Sequence, residues 1–398
     1  MLMLAIVIVA LALALILIKL GIEIGFALIT AAAIITLALS PENFLDILAV
    51  TLSSNRTWFL IAISIGIASL AELYRLSKLI EDLGLGIIRT LRNSKIAVIL
   101  TPAVIGLLPV AGGALMSAPI IGVLSSDLGF TSSLAVYSNV WFRHTIFLVY
   151  PISQLVIVTA TLSGYSIESL ILRQLPVAIF MIMVGYLLAL RSAKSSGKAS
   201  LKVNSKPLSM TSAPLITALV SAILLKICVG DWGMVLGIFL GILILTLIVK
   251  PCKSMLCNSF LNRRVLGIGL AAFGIMYIQK AFILSGASQL ITEALSSSGV
   301  PLIVLEILMP AVISISTGSP LTGIVISLPI MSGFKHLLIN DVNILFVSSY
   351  VSYIGSPAHL CFVYTAQYFE CSMDKVYKYL LPSMISTILF AIAIFSFM

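Results

Sequence analysis

Two copies of one eight-residue pattern stand 210 positions apart, and each interrupts an apolar stretch at a matching place. Gly113-Ala-Leu-Met-Ser117-Ala-Pro119-Ile120 repeats in register as Gly323-Ile-Val-Ile-Ser327-Leu-Pro329-Ile330. Directly upstream lie two loop-like runs, Leu108-Pro-Val-Ala-Gly-Gly113 and Ser314-Ile-Ser-Thr-Gly-Ser-Pro-Leu-Thr-Gly323. Glycine and proline breaking hydrophobic segments at corresponding points of two halves is the sequence pattern of a binding site built at a repeat interface in a membrane.

The surrounding composition leaves no room for a soluble fold. Apolar residues make up 60% of the chain and charged residues 9%, against about 25% charged in a soluble domain. The net charge of +9 would suggest nucleic acid in a soluble protein; here the placement of the charges argues for topology, with the lipid bilayer as partner and no nucleic acid. The segment from Met1 to Ile18 has no basic leader and no small-residue cleavage site, so it reads as a retained span. Cys228, Cys252, Cys257, Cys361 and Cys371 form no metal-ligand spacing, and Cys252 and Cys257 sit in a basic loop expected in the cytoplasm, so no metal, cofactor or disulfide is expected.

A helix needs about 20 apolar residues to cross a bilayer. Full crossings are expected near 1–18, 24–40, 57–74, 132–161 and 167–190, and again near 212–230, 232–249, 265–284, 342–368 and 376–397. The stretches 95–127 and 300–333 are each broken centrally and read as re-entrant hairpins. With that choice Lys19, Arg75, Lys78, Arg89, Arg92, Lys95, Arg191, Lys194, Lys198, Lys202, Lys206, Lys250, Lys253, Arg263, Arg264, Lys375 and Lys378 share one side, and only Arg56, Arg173 and Lys335 the other. Lysine and arginine concentrate in cytoplasmic loops, which places both termini outside a cell membrane. Five crossings per half make the second half enter upside down. The expected fold is therefore an all-α polytopic membrane protein with an inverted repeat: residues 1–190 and 211–398, joined by a polar cytoplasmic linker at 191–210. Segments 75–93 and 285–299 pair an apolar face with a charged back and suit interfacial helices carrying the hairpins, or plain connectors.

A hairpin tip inside the membrane leaves backbone groups that only protein or a water-filled cavity can satisfy. Half-helix N-termini attract anions, and exposed carbonyls suit a hard cation. Gly112, Gly113, Ser319 and Thr322 are candidate substrate contacts, and Thr317 and Gly318 candidate cation contacts, although small residues also serve close helix packing. The crossings after the hairpins look broken too, at Ser138–Thr145 and at Ser352–His359. Ser138 and Asn139 correspond to Ser348 and Ser349 at the same offset; with Gly355 and Ser356 they extend the two clusters. Arg143 is the most informative residue. A charge at mid-membrane costs about 2.5–3.5 kcal/mol on insertion scales, and its planar fork matches a carboxylate. His144 and His359 can bind an anion, carry a proton or bond a neighbour. Glu306 can relay protons or pair with Lys280, and Lys226 can snorkel. No hydrolase triad motif, zincin motif or P-loop competes.

Leu108-Pro-Val-Ala-Gly-Gly-Ala-Leu-Met-Ser-Ala-Pro119, Asn139-Val-Trp-Phe-Arg-His144 and Gly355-Ser-Pro-Ala-His359 resemble the prokaryotic membrane family catalogued as domain of unknown function 401, over essentially the full chain. The hairpin-plus-broken-helix units resemble, more loosely, the ion transporter superfamily. That resemblance implies an inverted-repeat scaffold, a homodimer, substrate and cation sites at the hairpin tips, and elevator-like alternating access. Sodium symporters of the superfamily carry Ser-Asn-Thr at both tips; this chain has Val-Ala-Gly-Gly and Thr-Gly-Ser-Pro, so H⁺ and Na⁺ stay open as coupling ion. The expectation is a non-enzymatic secondary transporter of a small carboxylate-like anion, with a passive anion channel and an intramembrane enzyme as alternatives.

Overall fold

Lipid offers the backbone no hydrogen-bond partner, so long apolar runs must satisfy their own N–H and C=O groups as helices. The computed structural model describes every residue except 1, 92, 109–112, 192, 194–205, 297, 298 and 398, and the described residues contain helices and no strand. The first half runs α1 (Leu2–Lys19), α2 (Ile24–Leu39), α3 (Phe44–Ser53), α4 (Asn55–Leu76), α5 (Leu79–Thr90), α6 (Ser94–Gly106), α7 (Ala114–Leu128), α8 (Ser132–Thr145), α9 (Gln154–Ser163) and α10 (Ile167–Gly185). The second runs α11 (Leu208–Val229), α12 (Asp231–Val249), α13 (Lys253–Leu261), α14 (Arg263–Leu284), α15 (Ala287–Ser296), α16 (Leu302–Thr317), α17 (Pro320–Met331), α18 (Ile339–Ile354), α19 (Leu360–Tyr368) and α20 (Met373–Phe397). Most of the linker 191–210 lies outside the described residues.

Among the described residues, six helical stretches are long and apolar enough to cross a membrane: α4, α10 with its continuation to Leu190, α11, α12, the run from Lys253 to Leu284, and α20. The chain is a multi-pass membrane protein. The pairs α8–α9 and α18–α19 reach spanning length only together, because each is interrupted. The sequence does not announce α3 or α13, two short helices ahead of α4 and α14.

Both hairpins double back. Their arms hold 13 and 15 residues (α6, α7) and 16 and 12 (α16, α17), each short of the about 20 needed to cross. Their bases are tied: Ser94 Oγ donates to Asp127 Oδ2 at 2.5 Å below the first, and Lys335 Nζ lies 3.5 Å from Glu306 Oε1 below the second. Lys335 also meets Asp341 at 3.0 Å. Glu306 thus pairs with Lys335 at a hairpin base and not with Lys280. Lys226, expected to snorkel, meets Glu168 at 2.6 Å.

Side-chain pairs give helix directions. Arg263 at the start of α14 meets Glu23 beside the start of α2 at 3.0 Å, and Arg264 lies 4.0 Å from Glu72, near the end of α4. Hence α4 and α14 run in opposite directions. The apolar face of α5 (Leu79, Ile80, Leu83, Ile87, Ile88) is buried against α4, α6, α7 and α11. It faces protein, and α5 braces the first hairpin. The tightest pair is α11 on α12. A Cβ on Gly237 would lie 2.4 Å from the Ala222 Cα, and one on Gly241 2.5 Å from the Ala218 Cβ. Lipid tails are as apolar as leucine, so close backbone approach is what holds such a pair together.

Candidate functional site

Helix α8 carries Ser138, Asn139, Arg143 and His144, all buried. The break expected at 138–145 falls later: α8 stays regular to Thr145, passes through a tight turn at Ile146–Leu148, and the chain resumes as α9 at Gln154. Pro151 follows that turn, and proline ends helices ahead of itself. In the second half the break is where the sequence puts it, between Ile354 and Leu360, at Gly355-Ser-Pro.

A cavity of about 410 Å³ opens beside the end of α8, within the 300–1,000 Å³ typical of small-molecule sites. Arg143, His144, Phe147 and Tyr150 line it from the first half, and Tyr350 and Tyr353 from α18. Four helices begin on its wall: α2 with Ile24, α9 with Ser153 and Gln154, α17 with Ser319 and Pro320, and α19 with Leu360 and Cys361. A helix start carries free N–H groups and partial positive charge. Among the described residues no lining residue is a carboxylate.

Arg143 is 2% exposed. Its Nη2 donates a long bond, 3.4 Å, to the Leu108 carbonyl of the first hairpin, and its Nη1 has no partner among the described residues. A Cβ on Gly106 would lie 2.8 Å from the Arg143 carbonyl oxygen and 3.2 Å from its Cγ; the missing side chain lets α6 press against α8 at this residue. On the facing hairpin Gly318 takes φ +62°, a left-handed conformation glycine adopts freely, and its Cα faces the Ala358 carbonyl. That turn aims Ser319 at the cavity. The Ser319 hydroxyl accepts from the Thr322 N–H at 3.3 Å as N-cap of α17.

His144 and His359 meet edge to face, their centroids 4.8 Å apart and planes at 80°. Tyr353 packs on His359 at 4.0 Å. His144 Nδ1 lies 2.6 Å from the Val140 carbonyl and His359 Nδ1 3.0 Å from the Ile354 carbonyl. A carbonyl only accepts, so each Nδ1 carries a proton and each neutral ring presents Nε2 as a lone-pair acceptor. His359 Nε2 is buried without a partner.

The structure therefore brings Arg143, His144, Gly318 and Ser319 to one cavity, with His359 behind His144. It gives other candidates structural work. Asn139 takes a bond from Ser117 at 2.6 Å and donates to the Ala114 carbonyl at 3.0 Å and Thr365 at 3.2 Å, clamping α7 to α19. Ser349 bonds Ser314 at 2.8 Å and the Pro320 carbonyl at 2.7 Å; Ser348 bonds the Ile307 carbonyl and Ser356 the Ile315 carbonyl, each at 2.5 Å. Thr317 bonds back to its own helix. A Cβ on Gly355 would meet Met384, and Gly113 caps α7. Ser138 and Thr322 keep buried, unpartnered hydroxyls away from the cavity. Gly112 lies outside the described residues. Tyr350, Tyr353, Phe147, Tyr150, Gln154 and Cys361 line the cavity without having been singled out; the Tyr350–Tyr353 spacing, one helical turn, was the available signal. Among the described residues no group of three His, Cys, Asp or Glu side chains is placed to hold a metal ion.

The helical arrangement resembles that of a solved membrane protein. The chain is similar to the YdaH transporter of Alcanivorax borkumensis, whose crystal structure revealed an unusual topology: the two share 15% identity and superpose with a TM-score of 0.62 over 90% of this chain and 89% of that one. The sequence belongs to the family described as protein of unknown function DUF401, which it matches over residues 1–397. No curated protein matches it.

Proposed function

We propose that this chain is a secondary active transporter of a small carboxylate-like anion, driven by a H⁺ or Na⁺ gradient. One observation carries the reading: among the described residues, a buried guanidinium with an unpartnered Nη1 borders a cavity walled by four helix N-termini and by no carboxylate. The guanidinium and the helix starts favour negative charge. An uncompensated buried arginine is costly, and a bound carboxylate would supply what it lacks. The wall combines residues of both halves, so motion of the α16–α17 hairpin against α8 would open the cavity to alternate sides, as an elevator mechanism requires. The opposed directions of α4 and α14 support an inverted repeat, and the basic loops support a cytoplasmic linker with both termini outside. A homodimer is part of the same proposal.

The test is ligand-dependent thermal stability. A ligand that binds only the folded state raises its stability by RT ln(1 + [L]/Kd), about 2.7 kcal/mol at 100 Kd. The purified protein is to be screened against carboxylates, sulfonates and amines. Stabilisation by carboxylates that disappears in Arg143→Gln supports the proposal. Stabilisation by amines alone, or an undiminished carboxylate effect in Arg143→Gln, overturns it.

A further inference from the structure

We infer that His144 and His359 form one proton-binding site, which fills only together with the anion, so that the coupling ion is H⁺. This rests on the anion site proposed above.

Both rings spend Nδ1–H on a backbone carbonyl, so any added proton goes to an Nε2. The edge-to-face contact at 80° lets the rings touch without a shared N–H···N bond. The first proton taken would repel a second from the adjoining ring. The pair therefore takes one proton. The buried Nε2 of His359 makes no hydrogen bond of normal geometry, and the neighbouring Cys361 thiol is only a weak donor. Sodium, a hard cation, needs several oxygens, and an imidazole nitrogen is poorly suited to it.

The surroundings explain why that proton would wait for the anion. Around the pair stand Arg143 on α8, Tyr350 and Tyr353 on α18, Cys361 on α19 and Tyr150 in the turn before α9. Arg143 is positive, and none of these groups is a carboxylate. With the cavity empty, a protonated histidine would be a second buried positive charge beside Arg143 with no carboxylate to balance it. A bound anion supplies the balancing charge. Anion and proton then help each other bind by the same factor, as linkage demands, and a proton cannot cross alone. The balance is simple: one N–H bond forms at Nε2 as the anion enters, and it breaks as the anion leaves on the other side.

Isothermal titration of the full-length purified protein at pH 7.5 tests this. Acetate, lactate, benzoate and succinate are titrated in two buffers of different ionisation heat, with and without Na⁺. The expected result is net uptake of up to one proton per anion bound, with affinity rising up to tenfold per unit fall in pH. His359→Gln and His144→Gln, each made separately, should bind the anion more weakly, with uptake abolished and the pH dependence flattened. Binding with no proton uptake by the wild-type protein overturns the inference and leaves the anion site standing, as does binding that requires Na⁺ or uptake unchanged in both histidine variants. The wild-type proton count decides the matter even if a variant fails to fold. If none of the four anions binds, the anion reading falls and the inference with it.

Discussion

The hydroxyl of Tyr350 on α18 donates a hydrogen bond of 2.8 Å to the backbone carbonyl of His144 on α8. Helix α8 stops one residue later, so this carbonyl is among the last four that no further turn can satisfy. A tyrosine from the opposite half closes that gap and fastens the two broken-helix units together at the cavity.

Tyr350→Phe should therefore destabilise the protein by about 1–3 kcal/mol, the cost of an orphaned buried carbonyl, with little change in side-chain volume. Thermal unfolding of the detergent-solubilised protein measures it. An unchanged midpoint would mean the bond contributes nothing.

Gly106→Ala should cost about 1–3 kcal/mol through overpacking, because the new Cβ meets the Arg143 backbone, and it should weaken anion binding by displacing the guanidinium. Gly122→Ala is the control. Its Cβ would meet only Phe369, at 3.7 Å, and a helical glycine-to-alanine change elsewhere gains about 0.5–1 kcal/mol. Equal behaviour of the two variants would refute the close-approach account.

Asn139→Ala should lower stability by about 1–3 kcal/mol, since Ser117, the Ala114 carbonyl and Thr365 all lose a buried partner. Anion affinity should fall far less than in Arg143→Gln. A variant of normal stability that binds no anion would return Asn139 to the list of ligands.

Cys361 offers a reporter. It is buried, lines the cavity, and sits at the start of α19. With Cys228, Cys252, Cys257 and Cys371 replaced by alanine, a small thiosulfonate reagent applied to vesicles should modify Cys361 from one face, more slowly when a bound anion fills the cavity. Modification indifferent to ligand would place the anion elsewhere.

Much of this molecule is decided by apolar periodicity and its interruptions. Leucine, isoleucine and valine in runs of about 20 specify which segments are helices, and Gly-Pro tips mark where they turn back. Arg143 stands out by itself because burying a charge in lipid is costly wherever it is placed. These features are local, and one dimension suffices to read them. Which groups face each other is not local. Nothing in the chain's order says that Tyr350 reaches His144, that Glu306 pairs with Lys335 across 29 positions in place of Lys280, or that Asn139 is consumed by Ser117 and Thr365. The cavity wall exists only once four helix starts, distant in sequence, are packed around one guanidinium, because hydrogen bonds and ion pairs depend on ångström separations that packing alone sets.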